Sequence, residues 1–157
     1  MNTNKKIAIA SEHAGFELKE KIKQYLGEKG YDVTDLGAGS DEPIDYPFIA
    51  AGLAEKVSEG EFCKGILLCG TGTGVTMAAG KVPGIRAALC TDPFMAKTTR
   101  EHNDANILCL GAWITGLKLS FAIVDAFLEA EFTGGRHVRR VNLIGELEKR
   151  YGSSIKK

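Results

Sequence analysis

The sequence predicts an α/β fold in which a five-stranded parallel sheet lies between two layers of helices. Five short apolar runs alternate with longer segments whose apolar residues recur at helical spacing. Strands that alternate with helices form parallel sheets, because each helix returns the chain to the same end of the sheet. One more helical pattern lies beyond the last of these units. We therefore expect a three-layer, Rossmann-like sandwich with an extra C-terminal helix.

The predicted strands are short runs of apolar residues between polar or glycine-containing stretches. Continuous apolar runs of this kind are typical of strands in a parallel sheet that helices cover on both faces. They are Ile7–Ser11, Tyr31–Leu36, Gly65–Cys69, Ile85–Cys90 and Ala105–Leu110.

The predicted helices lie between and after these strands. Gly30 is well placed to end the first helix, and Asp92-Pro93 to start the fourth. The last helix should run from about Val138 to Tyr151, with 152–157 as a frayed tail. The other helices are marked by apolar spacing at Leu18, Ile22, Tyr25 and Leu26; at Ile49, Leu53 and Val57; over Val75 to Lys81; and at Leu117, Phe121, Val124 and Leu128.

Size and charge limit the classes of function. With 157 residues the chain is predicted to form one domain, 1–157. Twenty basic and 20 acidic residues give a formal net charge of zero, which disfavours binding to nucleic acid or an anionic membrane. The N-terminal apolar run, Ile7 to Ala10, is too short for a signal peptide or a membrane span. We expect a soluble cytoplasmic protein.

The cysteines and histidines predict no metal site. Cysteines stand at 63, 69, 90 and 109, and no pair has the spacing of a zinc ribbon. The histidines, at 13, 102 and 137, are scattered. We therefore expect reduced thiols rather than metal ligands or disulfides.

Cys69 ends the third predicted strand and opens into the glycine-rich run Gly70–Gly74. Its spacing matches neither a nucleotide-triphosphatase phosphate loop nor a dinucleotide fingerprint. A strand-to-helix corner binds ligands in α/β sheets, and a helix start holds anions and favours a thiolate. The segment alone leaves two interpretations open, a base or nucleophile and a small buried hydrophobe.

Other chemical groups follow the same ends of neighbouring strands. Glu12 and His13 follow the first predicted strand, and Asp45-Tyr46 lie in the loop after the second. Carboxyl ends of parallel strands meet at one edge, so these groups should gather around Cys69. His102-Asn103, at the end of the fourth helix, belong to the opposite edge and could reach this site only from a neighbouring subunit.

Seven stretches, in order, together resemble the ribose-5-phosphate isomerase type B family, which includes galactose-6-phosphate isomerase subunits. No single stretch is specific, but the set covers nearly the whole chain. They are Glu12-His13-Ala14-Gly15, Asp45-Tyr46-Pro47, Cys69-Gly70-Thr71-Gly72-Thr73-Gly74, Lys81-Val82-Pro83-Gly84-Ile85-Arg86-Ala87, Arg100-Glu101-His102-Asn103-Asp104-Ala105-Asn106, Gly134-Gly135-Arg136-His137 and Arg140.

The resemblance implies reversible aldose–ketose isomerisation of a sugar phosphate through a cis-enediolate, without metal or organic cofactor. Cys69 corresponds to the base, and His102 to the acid/base that opens the sugar ring. Thr71 and the amides of Gly70, Gly72, Thr73 and Gly74 would hold the enediolate oxygen. His13, Arg136 and Arg140 would bind phosphate, while Glu12, Tyr46, Asn103 and Trp113 would contact substrate.

The resemblance also implies a homodimer, or a dimer of dimers, with sites built across the interface. Three positions depart from the family pattern: Glu12 replaces aspartate, Gly80 replaces asparagine, and Trp113 replaces an arginine that often contacts phosphate. Ribose 5-phosphate to ribulose 5-phosphate, a step of the pentose phosphate pathway, is the simplest reaction. The alternatives are a hexose or tetrose phosphate (galactose 6-phosphate or allose 6-phosphate type), or a non-catalytic phosphosugar-binding partner subunit.

Overall fold

A computed structural model of the protein describes residues 6–37, 39–40 and 42–152. The strands are β1 (Lys6–Ser11), β2 (Asp32–Asp35), β3 (Lys64–Cys69), β4 (Ala87–Leu89) and β5 (Ile107–Gly111). A 3-10 turn covers His13–Gly15. The helices are α1 (Phe16–Glu28), α2 (Tyr46–Ser58), α3 (Thr73–Ala79), α4 (Pro93–Asn103), α5 (Leu117–Glu129) and α6 (Arg136–Gly152).

All five strands are parallel and lie in the order β2-β1-β3-β5-β4. Two hydrophobic clusters cover the two faces of the sheet. One packs residues of α1, α4 and α5 against it, and the other packs α2 and α3. The predicted α/β sandwich with helices on both faces and an additional C-terminal helix is thereby confirmed. Among the described residues no helix is both long and apolar enough to cross a membrane.

Two predicted element boundaries are confirmed, one by its backbone conformation and one by a hydrogen bond. Gly30 follows α1 with a φ of 81°, the left-handed conformation that ends helices. Asp92 caps α4, because its side chain accepts a hydrogen bond of 2.9 Å from the amide of Met95. The predicted frayed tail, 152–157, falls outside the described residues apart from Gly152, which α6 includes.

Several elements differ from their predicted bounds because backbone groups find other partners. The amide of Tyr31 bonds to the carbonyl of Leu26 at the end of α1, so β2 begins one residue later. The amide of Arg86 bonds to the side chain of Asn106 at 2.8 Å, which shortens the edge strand β4. α3 starts two residues before its predicted position, at Thr73, and Tyr46 is the first residue of α2 rather than a loop residue.

Candidate active site

The carboxyl ends of β1 and β3 form the crevice where the path of the chain across the sheet reverses. From β1 the chain moves to β2 on one side, and then to β3 on the other. Parallel α/β sheets bind ligands outside the strand ends at such a reversal. Glu12 and His13 follow β1 on one side of this crevice, and Cys69 ends β3 on the other side.

The thiol of Cys69 lies at the bottom of the crevice, buried, with its Sγ 3.0 Å from the amide nitrogen of Gly72. Gly72 has a φ of 80°, and a Cβ there would lie 2.5 Å from the side chain of Leu89. Glycine is therefore required to aim this amide at the sulfur. The amide N–H of Gly72 thereby donates to the Cys69 sulfur.

The segment after Cys69 offers further hydrogen-bond donors. Thr71 Oγ1 accepts a bond of 3.3 Å from the amide of Thr73 and keeps its own hydroxyl proton to donate. The amides in the first turn of α3, which include that of Gly74, have no partner within the helix. A negatively charged oxygen beside the thiol would meet several donors.

Two aromatic rings pack on the glycine run. A Cβ on Gly74 would lie 2.8 Å from Cζ of Tyr46, and one on Gly70 would lie 2.6 Å from Cζ3 of Trp113. The Trp113 ring is nevertheless 73% exposed, and with His13 it lines a cleft of about 490 Å³ between α1 and α5. These contacts place Tyr46 and Trp113 against the glycine run that follows the thiol.

The side chains of Glu12 and His13 are in contact at the mouth of the crevice. Oε2 of Glu12 lies 2.8 Å from Nδ1 of His13. The glutamate is buried, and its Oε1 has no hydrogen-bond partner among the described residues. The histidine side chain is 42% exposed.

The other buried thiols are poor candidates for a base. Burial raises the pKa of Cys90 to about 12, with the charge of Asp92 acting in the same direction. Burial likewise raises the pKa of Cys109 to about 12. Both remain protonated at neutral pH. In the described part of the chain no three or more His, Cys, Asp or Glu side chains are grouped to hold a metal ion.

Four predicted site residues lie at the opposite edge of the sheet. α4 starts at the carboxyl edge after β4 and ends before β5, which places His102 and Asn103 at the amino edge. Asn103 lines a groove with Ala88 of the edge strand and Ile144 of α6. Arg136 and Arg140 begin α6, which packs on α4. One chain therefore does not bring His102, Asn103, Arg136 and Arg140 to Cys69.

Two residues to which the sequence assigned no role stand among the candidate groups. The ring of His137 is stacked on that of His102, with centroids 4.1 Å apart. Its position in Gly134-Gly135-Arg136-His137, beside a proposed phosphate ligand, was an available signal. Thr76 donates a bond of 2.7 Å from Oγ1 to the carbonyl of Gly72 and so fixes the turn after the thiol. No sequence pattern indicates that contact.

Comparison with known proteins supports the resemblance over most of the chain. The family model described as Ribose/Galactose Isomerase matches residues 7–144. Ribose-5-phosphate isomerase B of Escherichia coli (strain K12) is 47% identical, with 93% of this chain and 98% of that protein covered. D-erythrulose-4-phosphate isomerase of Pectobacterium atrosepticum is 43% identical, over 90% and 94% of the two chains.

A solved structure gives the same result for the fold. Ribose-5-Phosphate Isomerase B of Clostridium thermocellum superposes on this chain with a TM-score of 0.92 and 53% sequence identity. The match covers 93% of this chain and 99% of that one. The predicted resemblance is confirmed, and the chain belongs to the ribose/galactose isomerase family of sugar-phosphate isomerases.

Proposed function

We propose that the enzyme interconverts ribose 5-phosphate and ribulose 5-phosphate with Cys69 as the base. The observation that carries this proposal is the buried thiol at the crevice between β1 and β3, which accepts a hydrogen bond from Gly72 and faces further donors. Burial makes Cys90 and Cys109 unsuitable for the same task. The match to the family model, the relative named ribose-5-phosphate isomerase B and the superposable structure of the same name support this choice.

The proposed reaction moves one proton between two carbons. The Cys69 thiolate takes the proton from C2 of the open-chain aldose, and the C–H electrons form the C1–C2 double bond of a cis-enediolate. The carbonyl π electrons move to O1, where Thr71 and the amide of Gly74 would stabilise the charge. Cys69 returns a proton to C1 while the O2–H proton passes to O1, so that C2 becomes the ketone carbon and O1 the hydroxyl oxygen. No net electron transfer occurs, so the step needs no redox cofactor.

We also propose that each site is built from two copies of the chain, as a homodimer or a dimer of dimers. His102, Asn103, Arg136 and Arg140 lie at the amino edge, away from Cys69 of the same chain. A second copy would supply the ring-opening histidine, the asparagine contact and the phosphate ligands. Exposed apolar side chains on α4, Phe94 and Met95, are consistent with a face that another protein surface covers. A cytoplasmic location fits this role.

A tetrose or hexose phosphate is the second candidate substrate. Trp113 favours it, because a tryptophan stands where the family pattern has a phosphate-binding arginine, and its ring lies on Gly70 beside the thiol. One relative is itself a D-erythrulose-4-phosphate isomerase. A silent partner subunit is disfavoured, because it would have no use for the thiol, the donors around it and the arginine pair together.

Exchange in deuterated water tests the proposal. Purified protein is incubated with a panel of pentose, hexose and tetrose phosphates, and deuterium at C2 is followed by NMR. We expect exchange to be fastest with ribose 5-phosphate and absent in a Cys69→Ala variant. If exchange is fastest with another sugar, the proposed substrate is wrong but the proposed reaction stands. No exchange with any sugar would contradict the enzymatic role.

A further inference from the structure

Asp104, which follows α4 directly, has a left-handed backbone. Its φ is 49°, and among the described residues it alone, apart from glycines, has a positive φ. Its amide donates a hydrogen bond of 3.2 Å to the carbonyl of Arg100 and so ends the helix. Glycine adopts this conformation without strain, whereas an aspartate only tolerates it. An aspartate at this position therefore points to a task for its carboxylate.

The carboxylate of Asp104 is held between two guanidinium groups. Nη2 of Arg86 donates to Oδ2 at 2.8 Å, and Nη1 of Arg100 donates to Oδ1 at 2.9 Å. Each arginine makes a second bond to the same turn, from Arg86 Nε to the carbonyl of Asp104 at 2.8 Å and from Arg100 Nη1 to that of Ala105 at 2.6 Å. The paired bonds of a planar guanidinium fix orientation as well as distance. We call Arg86, Arg100 and Asp104 the clamp.

The clamp is anchored to the loop before β4. The side chain of Asn106 accepts a bond of 2.8 Å from the amide of Arg86 and donates one of 2.9 Å to the carbonyl of Gly84. The amide of Gly84 in turn lies 3.0 Å from each carboxylate oxygen of Glu148 in α6. The end of α4 is thereby tied to an edge of the sheet and to α6.

The last turn of α4 is also held from its other side. The carbonyl of Glu101 accepts bonds of 3.0 Å from the amide and 2.8 Å from the hydroxyl of Thr133, in the segment that leads into α6. The turn between these two anchors carries His102 and Asn103. The direction in which their side chains leave the helix is therefore set by Thr133 and Asp104.

We propose that Asp104 is a positioning residue for His102. The clamp fixes the last turn of α4 at the angle that brings the imidazole to the sugar ring in the partner's site. The inference rests on the ring-opening role and the shared site proposed above. In ring opening the C1–O4 bond of the furanose breaks, O4 gains a proton and the hydroxyl on C1 loses one. One side chain that serves two oxygens is sensitive to small displacements.

The two directions of the reaction differ in their need for this step. Ribulose 5-phosphate has its carbonyl at C2 and its phosphate on O5, so it forms no five-membered ring and needs no opening. Asp104→Gly removes the carboxylate and leaves the left-handed backbone unstrained. We expect turnover of ribose 5-phosphate to fall about tenfold or more. Exchange of the C1 hydrogen of ribulose 5-phosphate in deuterated water, followed by NMR, should stay within about threefold of the parent rate. Equal losses in both reactions, or no loss in either, would overturn the positioning role.

A second variant breaks the clamp from the opposite side. Arg86→Gln leaves Asp104 in place and should give the same difference between the two reactions. The double variant should lie within about threefold of the weaker single variant, because both changes break one unit. Losses that multiply would refute the clamp.

The matched control lies at the other end of the same helix. Asp92→Ala removes the side-chain cap of α4, so its Tm should fall, but both reactions should stay within about threefold of the parent. If Asp92→Ala also loses ribose 5-phosphate turnover selectively, the effect reports the stability of α4 and the positioning role of Asp104 is refuted.

His102→Ala separates failure of this inference from failure of the proposed function. Selective loss of ribose 5-phosphate turnover in His102→Ala but not in Asp104→Gly would refute the role of Asp104 alone. If His102→Ala lacks that selectivity, the proposed ring-opening role is wrong and the inference falls with it. Amide hydrogen exchange reads the clamp without turnover, and it should quicken over residues 100–106 in Asp104→Gly but not in Asp92→Ala. Unchanged exchange there in Asp104→Gly would overturn the inference even if His102 opens the ring.

Discussion

The imidazole rings of His102 and His137 are stacked, with centroids 4.1 Å apart and planes inclined by 7°. The pair joins the end of α4 to the first turn of α6 and lies close to Arg136 and Arg140 in the chain. Burial lowers the pKa of His137, and His102, Arg136 and Arg140 act in the same direction. The amino edge therefore carries a dense set of cationic and titratable groups, which suits an anionic ligand group.

The lowered pKa of His137 predicts a pH-dependent stability. A base with a lower pKa in the folded state is protonated more readily in the unfolded chain. The contribution of neutral His137 to the free energy of unfolding should be complete at pH values above 6.5, the ordinary pKa of histidine. It should be lost as the pH falls below that pKa. We expect the drop in Tm on acidification to be smaller in His137→Gln, as measured by calorimetry. An identical pH profile in both proteins would contradict the expectation.

Replacement of Cys69 should abolish turnover while preserving the fold. Loss of a general base costs roughly 10²–10⁴-fold in rate, so Cys69→Ala should lose at least that much kcat. Phosphate binding and the circular dichroism spectrum should be nearly unchanged. Cys63→Ala, a change at an exposed thiol, is the matched control and should be fully active. Inactivation by a change at Cys90 or Cys109, with Cys69→Ala still active, would show that the base is misassigned.

The two arginines of α6 should contribute to phosphate affinity but little to stability. Each of Arg136→Ala and Arg140→Ala should weaken binding of the phosphorylated sugar by up to about 3 kcal/mol, because a charge-assisted hydrogen bond is lost. Both residues are exposed, so Tm should change little. Titration calorimetry and KM provide the measurements. Arg139→Ala is the matched control, and equal effects at all three positions would indicate only a general loss of charge.

Complementation between two inactive variants tests the shared site. Mixed dimers of Cys69→Ala and His102→Ala chains hold one site with both intact groups, if His102 crosses the interface. Activity should then recover to about half of normal per heterodimer, as the one intact site of two requires. Mass spectrometry verifies that subunits exchange. Exchange without recovery would place both residues in one subunit or exclude His102.

Glu12 and Trp113 should tune which sugar is accepted. Glu12→Asp combined with Trp113→Arg shortens the carboxylate and places a cation over Gly70. Efficiency on ribose 5-phosphate should rise relative to the other accepted sugars by about tenfold, which corresponds to about 1.4 kcal/mol in relative transition-state binding. The measurement is kcat/KM across the panel of sugar phosphates. If the ranking of the sugar phosphates by kcat/KM is unchanged, Glu12 and Trp113 do not determine which sugar is accepted.

The sequence predicts most of the fold because its signals are local. Apolar runs locate all five strands, and Gly30 and Asp92 mark helix ends through their own backbone conformation or side-chain bond. The sequence also predicts that Glu12 and Cys69 lie near each other, because parallel strands align their carboxyl ends. The position of β4 at the sheet edge does not follow, since it depends on which distant strand pairs with it.

The finer geometry of the site depends on contacts that local patterns do not encode. The 2.8 Å contact between His13 Nδ1 and Glu12 Oε2 requires particular side-chain rotamers, and the His102–His137 stack requires α6 to dock on α4. Strand ends shift for a similar reason, since the Tyr31 amide bonds to α1 instead of the sheet. In each case a competing partner from another element decides the outcome.

The strand order has a consequence for biosynthesis. Among the strands of the described residues β4 pairs with β5 alone, and β5 is inserted between β3 and β4 after both have been made. A chain emerging from the ribosome therefore carries β4 without a partner, and β3 with one open edge, until Ile107–Gly111 has appeared. Unpaired strand edges invite association with other chains. The five-stranded sheet can therefore form only after β5 has been synthesised. A chain truncated before β5 should aggregate rather than fold as a smaller protein.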